Sequence, residues 1–268
     1  MTVNEDAPFR EPPAVLAWSE RLANAAELDE PLLALWQPAG ITAAIGLAQS
    51  PEKELRLGDD RAFDIGLLRR QSGGGAVLLY AGVLCWEALA SVNHIDRLHG
   101  GAAGIRPAYD HLCRPVVDGL VHMGIDVFRV GVSDLSVRAG GEGEFRKVAG
   151  TAQYRHKQNV LVHGALLVDS DIDELSRYLL FPSSQPDYRQ GRAHRDFCIS
   201  LAEVPGVVVA SGDGLMNGLA AAIARAAASR GWKVTSPPTT LDAETLGLEK
   251  AKYRNPEWNW KRIRQGTA

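Results

Sequence analysis

Lys147 stands in the run Arg146-Lys147-Val148-Ala149-Gly150-Thr151-Ala152-Gln153, a cation followed by a glycine and small residues. Beyond it, Val160, Leu161, Val162, Leu166, Leu167 and Val168 give the branched apolar content of a buried strand, interrupted by His163-Gly164-Ala165. A lysine at the end of such a strand, held in a cleft, presents a compact charge to a carboxylate, a phosphate or an activated carbonyl. A solvated surface lysine is the competing reading, because the chain has 29 Lys and Arg and most such side chains face water. A second stretch, Arg69-Arg70-Gln71-Ser72-Gly73-Gly74-Gly75-Ala76-Val77, puts two guanidinium groups directly before three glycines. Backbone N–H groups of consecutive glycines approach a ligand with no Cβ in the way, which suits a phosphate or a planar base; a plain glycine-rich hairpin is the alternative.

Taken together, RRQSGGGAV, RKVAGTAQYR and VHGALL resemble, in order and spacing, the lipoate-protein ligase A and octanoyltransferase family of the biotin/lipoate ligase superfamily. The resemblance runs from about Leu35 to the C-terminus and implies an α/β (α+β) catalytic domain whose mixed, largely antiparallel sheet is flanked by helices. It implies catalysis by Lys147. Binding of the acyl group and its adenylate falls to Arg70, Ser72, Gly73, Gly74, Gly75, Ala76, Gly150, Thr151, Ala152, His163, Gly164 and Ala165. The segment from Pro182 to Arg195, of the family's YRxGRxHxDF type, reads as a basic lid carrying Arg192 and His194, with a solvated charged loop as the alternative. Two positions depart from the pattern: Ser133 replaces an asparagine, and Ala165 replaces a hydroxyl residue.

The elements that must hold these residues follow from patterning. Residues 14–27 read as a helix; Leu32–Trp36 and Ile41–Leu47 read as a strand pair around the turn Pro38-Ala39-Gly40. Strands are expected before and after the glycine loop, at Asp64–Leu68 and Ala76–Tyr80, and again at Leu84–Leu89 and Val127–Val132. His94, His99 and the glycines at 100, 101 and 104 read as a connection into a helix over about 107–124, with Pro115 starting its regular part or kinking it. Ala139-Gly140-Gly141-Glu142-Gly143-Glu144 reads as an enlarged hairpin tip. Asp171 with Glu174 reads as a helix cap, Val207–Ala210 as a strand, Gly214–Arg230 as a helix capped by Asp213, and Trp232–Val234 as a last strand. The expected organisation is a disordered leader over 1–13 and one catalytic domain over 14–268, without the small accessory domain of two-domain ligases.

With 268 residues, 46% of them hydrophobic, the chain is long enough for one large core, and a net charge of -3 argues against bulk-charge nucleic-acid binding. Cys85, Cys113 and Cys198 show no CxxC spacing, and the histidines no HExxH, so no disulfide framework or metal site is indicated. No apolar run approaches the roughly 20 residues of a membrane span, and residues 1–13 lack a signal-peptide core, so a cytoplasmic protein is expected.

Three activities stay open. The first is an ATP- and Mg2+-dependent ligase that converts lipoate or octanoate to an acyl-adenylate and passes it to a lysine of a 2-oxoacid dehydrogenase lipoyl domain or a glycine-cleavage H protein. A separate accessory chain is a further implied partner. The second is an octanoyl or lipoyl transferase using an acyl carrier or acyl-protein donor. The thiols of both known transferase branches are missing at their places, leaving Cys198. The third is a non-catalytic subunit that binds lipoyl-adenylate or a carrier.

Overall fold

The run from Asn159 to Leu167 is apolar at nearly every position because the strand it forms is buried on both faces. The protein was analysed as a computed structural model, which describes residues 7–58, 64–102, 104–139, 144–207 and 213–261. In chain order the first half holds β1 (Phe9–Arg10), α1 (Pro12–Asn24), β2 (Leu32–Pro38), β3 (Thr42–Ile45), α2 (Pro51–Glu54), β4 (Gly66–Arg69), β5 (Val77–Leu79) and β6 (Val83–Ser91). There follow α3 (Val92–His99), α4 (Ile105–Leu112), α5 (Arg114–His122), β7 (Val127–Val130), β8 (Asp134–Arg138), β9 (Phe145–His156) and β10 (Asn159–Leu167). The last part holds α6 (Asp173–Tyr178), α7 (His194–Phe197), α8 (Asp213–Ala228), β11 (Lys233–Thr235), α9 (Ala243–Leu248) and α10 (Pro256–Trp260).

Among the described residues the strands form two sheets. The larger has the order β1-β2-β6-β10-β9-β8-β7, with β11 also on β2; its central pairs are antiparallel, while β1 and β11 join β2 in parallel. The smaller is β4-β3-β5. One face of the large sheet packs Trp86, Val162 and Leu166 against Ile95, Leu112, Val116, Leu120, Leu219 and Ile223 of α3, α4, α5 and α8. The opposite face sets Cys85, Ala165 and Leu167 against Leu16 of α1, Ile45 and Leu78 of the small sheet, and Leu175 of α6. A second core is thereby closed between the two sheets. This is the mixed, largely antiparallel α/β architecture expected.

Several expectations shift. The strands on either side of Pro38-Ala39-Gly40 do not pair with each other: β2 joins the large sheet, while β3 lies between β4 and β5. The polar stretch at His94–His99 is helical, because Ser91 caps it through the N–H of His94 and Gly100 ends it at φ +69°. The helix expected over 107–124 divides at Cys113, with Pro115 in the first turn of α5. β1 and the start of α1 lie before residue 14, so the ordered chain reaches into the expected leader. The glycine-rich tip at 140–143, most of the strand at Val207–Ala210 and the Asp213 side chain lie outside the described residues.

Candidate active site

Lys147 owes its direction to a β-bulge. Partners across an antiparallel pair share a face, so Gly150 and Ala152, opposite Ala165 and His163, point to the space between the sheets. Strict alternation would turn Lys147 the other way, into the helical core. Between Ser136↔Lys147 and Leu135↔Ala149, however, β9 carries one extra residue, Val148. Val148 and Ala149 both join the helix-side core, and Lys147 emerges on the inter-sheet side. Its ammonium lies 2.9 Å from Asp134 Oδ1 and runs over Gly150, where a Cβ would come within 2.9 Å of Nζ. Asp134 Oδ2 in turn accepts from Tyr188 OH at 2.8 Å, and burial followed by Asp134 itself pushes the tyrosine pKa up.

The two arginines before the glycine run are structural anchors. Arg69, fully buried, donates to Leu47 O and Gln49 O at the end of β3 and to Trp258 O, Asn259 O and Lys261 O in the C-terminal segment. Arg70 donates to Ala44 O, Gly73 O and Gly75 O, holding the loop in shape around Gly74 at φ +86°. Burial lowers its pKa to about 10, so it stays charged at neutral pH. In the structure its bonds go to the loop. Ser72 turns inward, its Oγ 2.6 Å from His163 Nε2, and His163 Nδ1 lies 3.5 Å from Glu87 Oε2 across the β10–β6 pair. The Ser72–His163 bond thus ties the sheet to the loop, and Glu87 Oε2 on the far side of the ring has no hydrogen-bond partner among the described residues.

Between these parts lies a cavity of about 180 Å3. Arg70, Gly74, Gly75, Ala76, Lys147, Gly150, Thr151, Ala152, His163, Gly164, Ala165 and His194 all line it, whereas Ser72, Gly73 and Arg192 do not. Its other walls are largely apolar: Leu16, Trp36, Leu79, Leu167, Leu175 and Leu179. The Thr151 hydroxyl donates to Ser133 O at 2.7 Å, which fixes the turn before Asp134. In the 182–196 segment, Arg192 binds Glu144, Phe145 O and Tyr188 O, while Arg189 and His194 reach the cavity. Burial first, then the cations Arg189, Lys147 and Arg56, lower the His194 pKa to about 4, so the ring is neutral near pH 7. Cys198 lies in the wall beside Lys147; burial raises its pKa and Lys147 and Arg189 offset part of that.

The sequence model of the lipoyl protein ligase A/B catalytic domain matches residues 11–213. The chain belongs to this family. The chain is 27% identical over 248 residues to octanoyltransferase LipM of Brevibacillus brevis, covering 85% of each. It is 33% identical over 144 residues to the probable lipoate-protein ligase A of Mycoplasma pneumoniae, 54% of this chain and 38% of that one. Its fold matches that of the bipartite lipoate protein ligase studied with its E2 lipoyl domain from Thermoplasma acidophilum, with a TM-score of 0.71, 22% identity and 98% of each chain covered. The chain is therefore an enzyme of the lipoate ligase and octanoyltransferase type.

In this member of the ligase and transferase family, the cavity sets Lys147 over Gly150 and opposite a glycine loop at the polar end of an apolar slot. Such an arrangement can hold an acyl chain and stabilise negative charge growing on its carbonyl oxygen. Three further cavity residues take their places from the fold. Asp134, Glu87 and Arg189 acquire their places only through cross-strand or long-range partners. The sequence carried a sign for Asp134, next to the substituted Ser133, and for Arg189, inside the basic Pro182–Arg195 segment, and none for Glu87.

Proposed function

We propose that this chain transfers an octanoyl or lipoyl group to a lysine side chain of a lipoyl domain, with the acyl carbonyl held at Lys147. The observation that carries this reading is the bulge that turns Lys147 out of the helical core and into an apolar slot facing Gly74 and Gly75. As the acceptor amine adds to the carbonyl, charge grows on the oxygen, and a fixed ammonium at that point lowers the barrier. Asp134 keeps the ammonium directed, and the Ser72–His163 bond holds the glycine loop against the slot. The E2 lipoyl domain studied with the Thermoplasma ligase supports a lipoyl domain as acceptor, and an H protein is a second acceptor of the same chemistry.

Two donors fit the slot. In the first reading ATP supplies the leaving group: the free acid attacks the α-phosphate, pyrophosphate leaves, and the acceptor lysine displaces AMP from the acyl-adenylate. Arg70, Gly74, Gly75 and Lys147 line the cavity where the phosphate would lie. Among the described residues no group of three His, Cys, Asp or Glu converges, so Mg2+ would be held through the nucleotide's own phosphates. In the second reading the acyl group arrives as a carrier thioester and passes through Cys198. The similarity to octanoyltransferase LipM along 85% of both chains favours this donor, as does the thiol's place in the wall. Burial, which raises the Cys198 pKa and keeps the thiol protonated, favours the first.

Intact mass of a purified lipoyl domain separates them, after incubation with this protein and either Mg-ATP with lipoate or octanoate, or octanoyl-acyl carrier protein. The first reading expects an ATP-dependent mass gain that survives Cys198→Ala and falls about 10²- to 10³-fold in rate in Lys147→Ala. A gain with the carrier donor alone, abolished by Cys198→Ala, would establish the second. No gain with either donor, with or without added accessory protein, would remove both.

A further inference from the structure

Arg189 is a cavity-lining cation with one donor that no described residue meets. It closes a short 3-10 turn at Asp187–Arg189, is 5% exposed, and stacks 5.0 Å from the Phe181 ring and 4.8 Å from the Phe197 ring. Its Nε donates to Arg192 O at 3.0 Å, but Nη2 is buried without a hydrogen-bond partner among the described residues. The nearby carboxylate makes no hydrogen bond with it: Asp134 Oδ1 meets Lys147 and Oδ2 meets Tyr188. His194 is a cavity neighbour and brings no negative charge. The cavity lining therefore holds three cations, Arg70, Lys147 and Arg189, against the two carboxylates Asp134 and Glu87, and of the cations Arg70 spends its donors on backbone carbonyls of the loop and β3. A buried guanidinium donor left open is costly unless a ligand completes it. Arg192, three residues on, shows the contrast, since its donors are all engaged and it faces away from the cavity.

We propose that Arg189 is the specificity-determining residue for the head of the acyl substrate, and that it receives, beside Lys147, an anionic group at the first carbon. That group is the carboxylate of a free medium-chain acid or the carboxyl–phosphate anhydride made from it. A planar guanidinium presents its donors in a fork that matches both oxyanions. A thioester carries no charge at that carbon and leaves Nη2 as it is. The inference rests on the acyl-transfer reading above and extends it to the charge state in which the acyl group enters.

The test measures binding of three probes to the full chain by titration calorimetry without turnover: octanoate, its neutral isostere octanamide, and octanoyl-sulfamoyl-adenosine, an uncleavable anionic adenylate mimic. The wild-type chain is expected to bind octanoate, the mimic, or both at least about tenfold more tightly than octanamide, the size of a charge-assisted hydrogen bond. Octanoate preference identifies the free acid as the source, and preference confined to the mimic identifies the anhydride. In Arg189→Gln the preference should fall at least about fivefold, Lys147 retaining the remainder, while octanamide affinity stays within about twofold, which also reports that the slot is folded. If that variant unfolds, Arg189→Met, which keeps an apolar stem against Phe181 and Phe197, replaces it with the same expectation. Equal binding of charged and neutral probes by the wild type, or a preference that Arg189→Gln or Arg189→Met leaves intact, would overturn the assignment while sparing the acyl slot. Failure of all three probes, octanamide included, would instead remove the acyl-binding reading itself.

Discussion

Lys147 was legible in the sequence as a residue, and its direction was not. The motif supplied the lysine and the glycine three positions later; nothing in it shows that Val148 is the unpaired residue of a bulge, because a bulge is defined by the partner strand. The same limit hid Glu87, which meets His163 only because β6 and β10 pair in that register. Gly150 joins the two levels. A Cβ there would meet Lys147 Nζ at 2.9 Å and Cε at 3.1 Å, the far end of a flexible side chain, so the lysine rather than the backbone gives way. Gly150→Ala is accordingly expected to leave the thermal midpoint within a few degrees and to lower the turnover of acyl transfer about tenfold or more, since a displacement of about 1 Å costs that much when catalysis is electrostatic positioning. Steady-state kinetics of lipoyl-domain modification would show it; full turnover with an unshifted lysine would mean the contact is slack. Gly164 is the harsher case, because its Cβ would enter the fully buried Trp86 ring at 2.2 Å. Gly164→Ala is expected to destabilise the fold by about 1–3 kcal/mol, read from urea midpoints.

Period-two and period-3.6 patterning located most strands and the long helices, and it failed where an element draws its stability from caps or from distant partners. α3 carries a single buried apolar residue, Ile95, and rests on its Ser91 cap. β3 lies near β2 in sequence yet completes the other sheet, because the Pro38-Ala39-Gly40 turn dictates no pairing while β4 and β5 offer partners on both edges. The resemblance reached into the C-terminal tail without assigning it a task, and the structure gives it one. Asn259 Oδ1 accepts from Arg69 N, Trp258 Nε1 donates to Arg69 O, and Lys252 binds Glu20 and Gln71. The tail thus straps the strand that enters the glycine loop. Asn259→Ala leaves a buried backbone N–H at Arg69 without an acceptor, which should cost about 1–3 kcal/mol. Chemical denaturation should register that loss, and acyl-probe affinity should weaken with it, because Arg69 anchors β3 beneath the loop as well. Unchanged stability would show that another acceptor takes the N–H.

Across the whole molecule, the two cores place a neutral histidine on each side of the large sheet. His194 sits at the cavity, and His111 lies against the rings of His94 and Trp232 on the helical side, its Nε2 buried without a hydrogen-bond partner among the described residues. Both have a pKa of about 4 in place of 6.5. Burial is the larger cause in each; His94, His99 and Arg230 add to it for His111, and Arg189, Lys147 and Arg56 for His194. Between those two values the unfolded chain carries protons on these rings that the folded chain does not. Stability from this source is therefore complete above about pH 6.5 and is lost as pH falls toward about 4. The thermal midpoint should drop across that window, and His111→Gln, which removes one of the two groups away from the active site, should flatten the slope without altering acyl-probe binding at neutral pH. Parallel slopes in the variant and the wild type would assign the acid sensitivity to the carboxylates instead. A flatter slope would mean that acid loosens the fold from the helical side, at a distance from the acyl slot. Any loss of activity at low pH would then follow the loss of the fold.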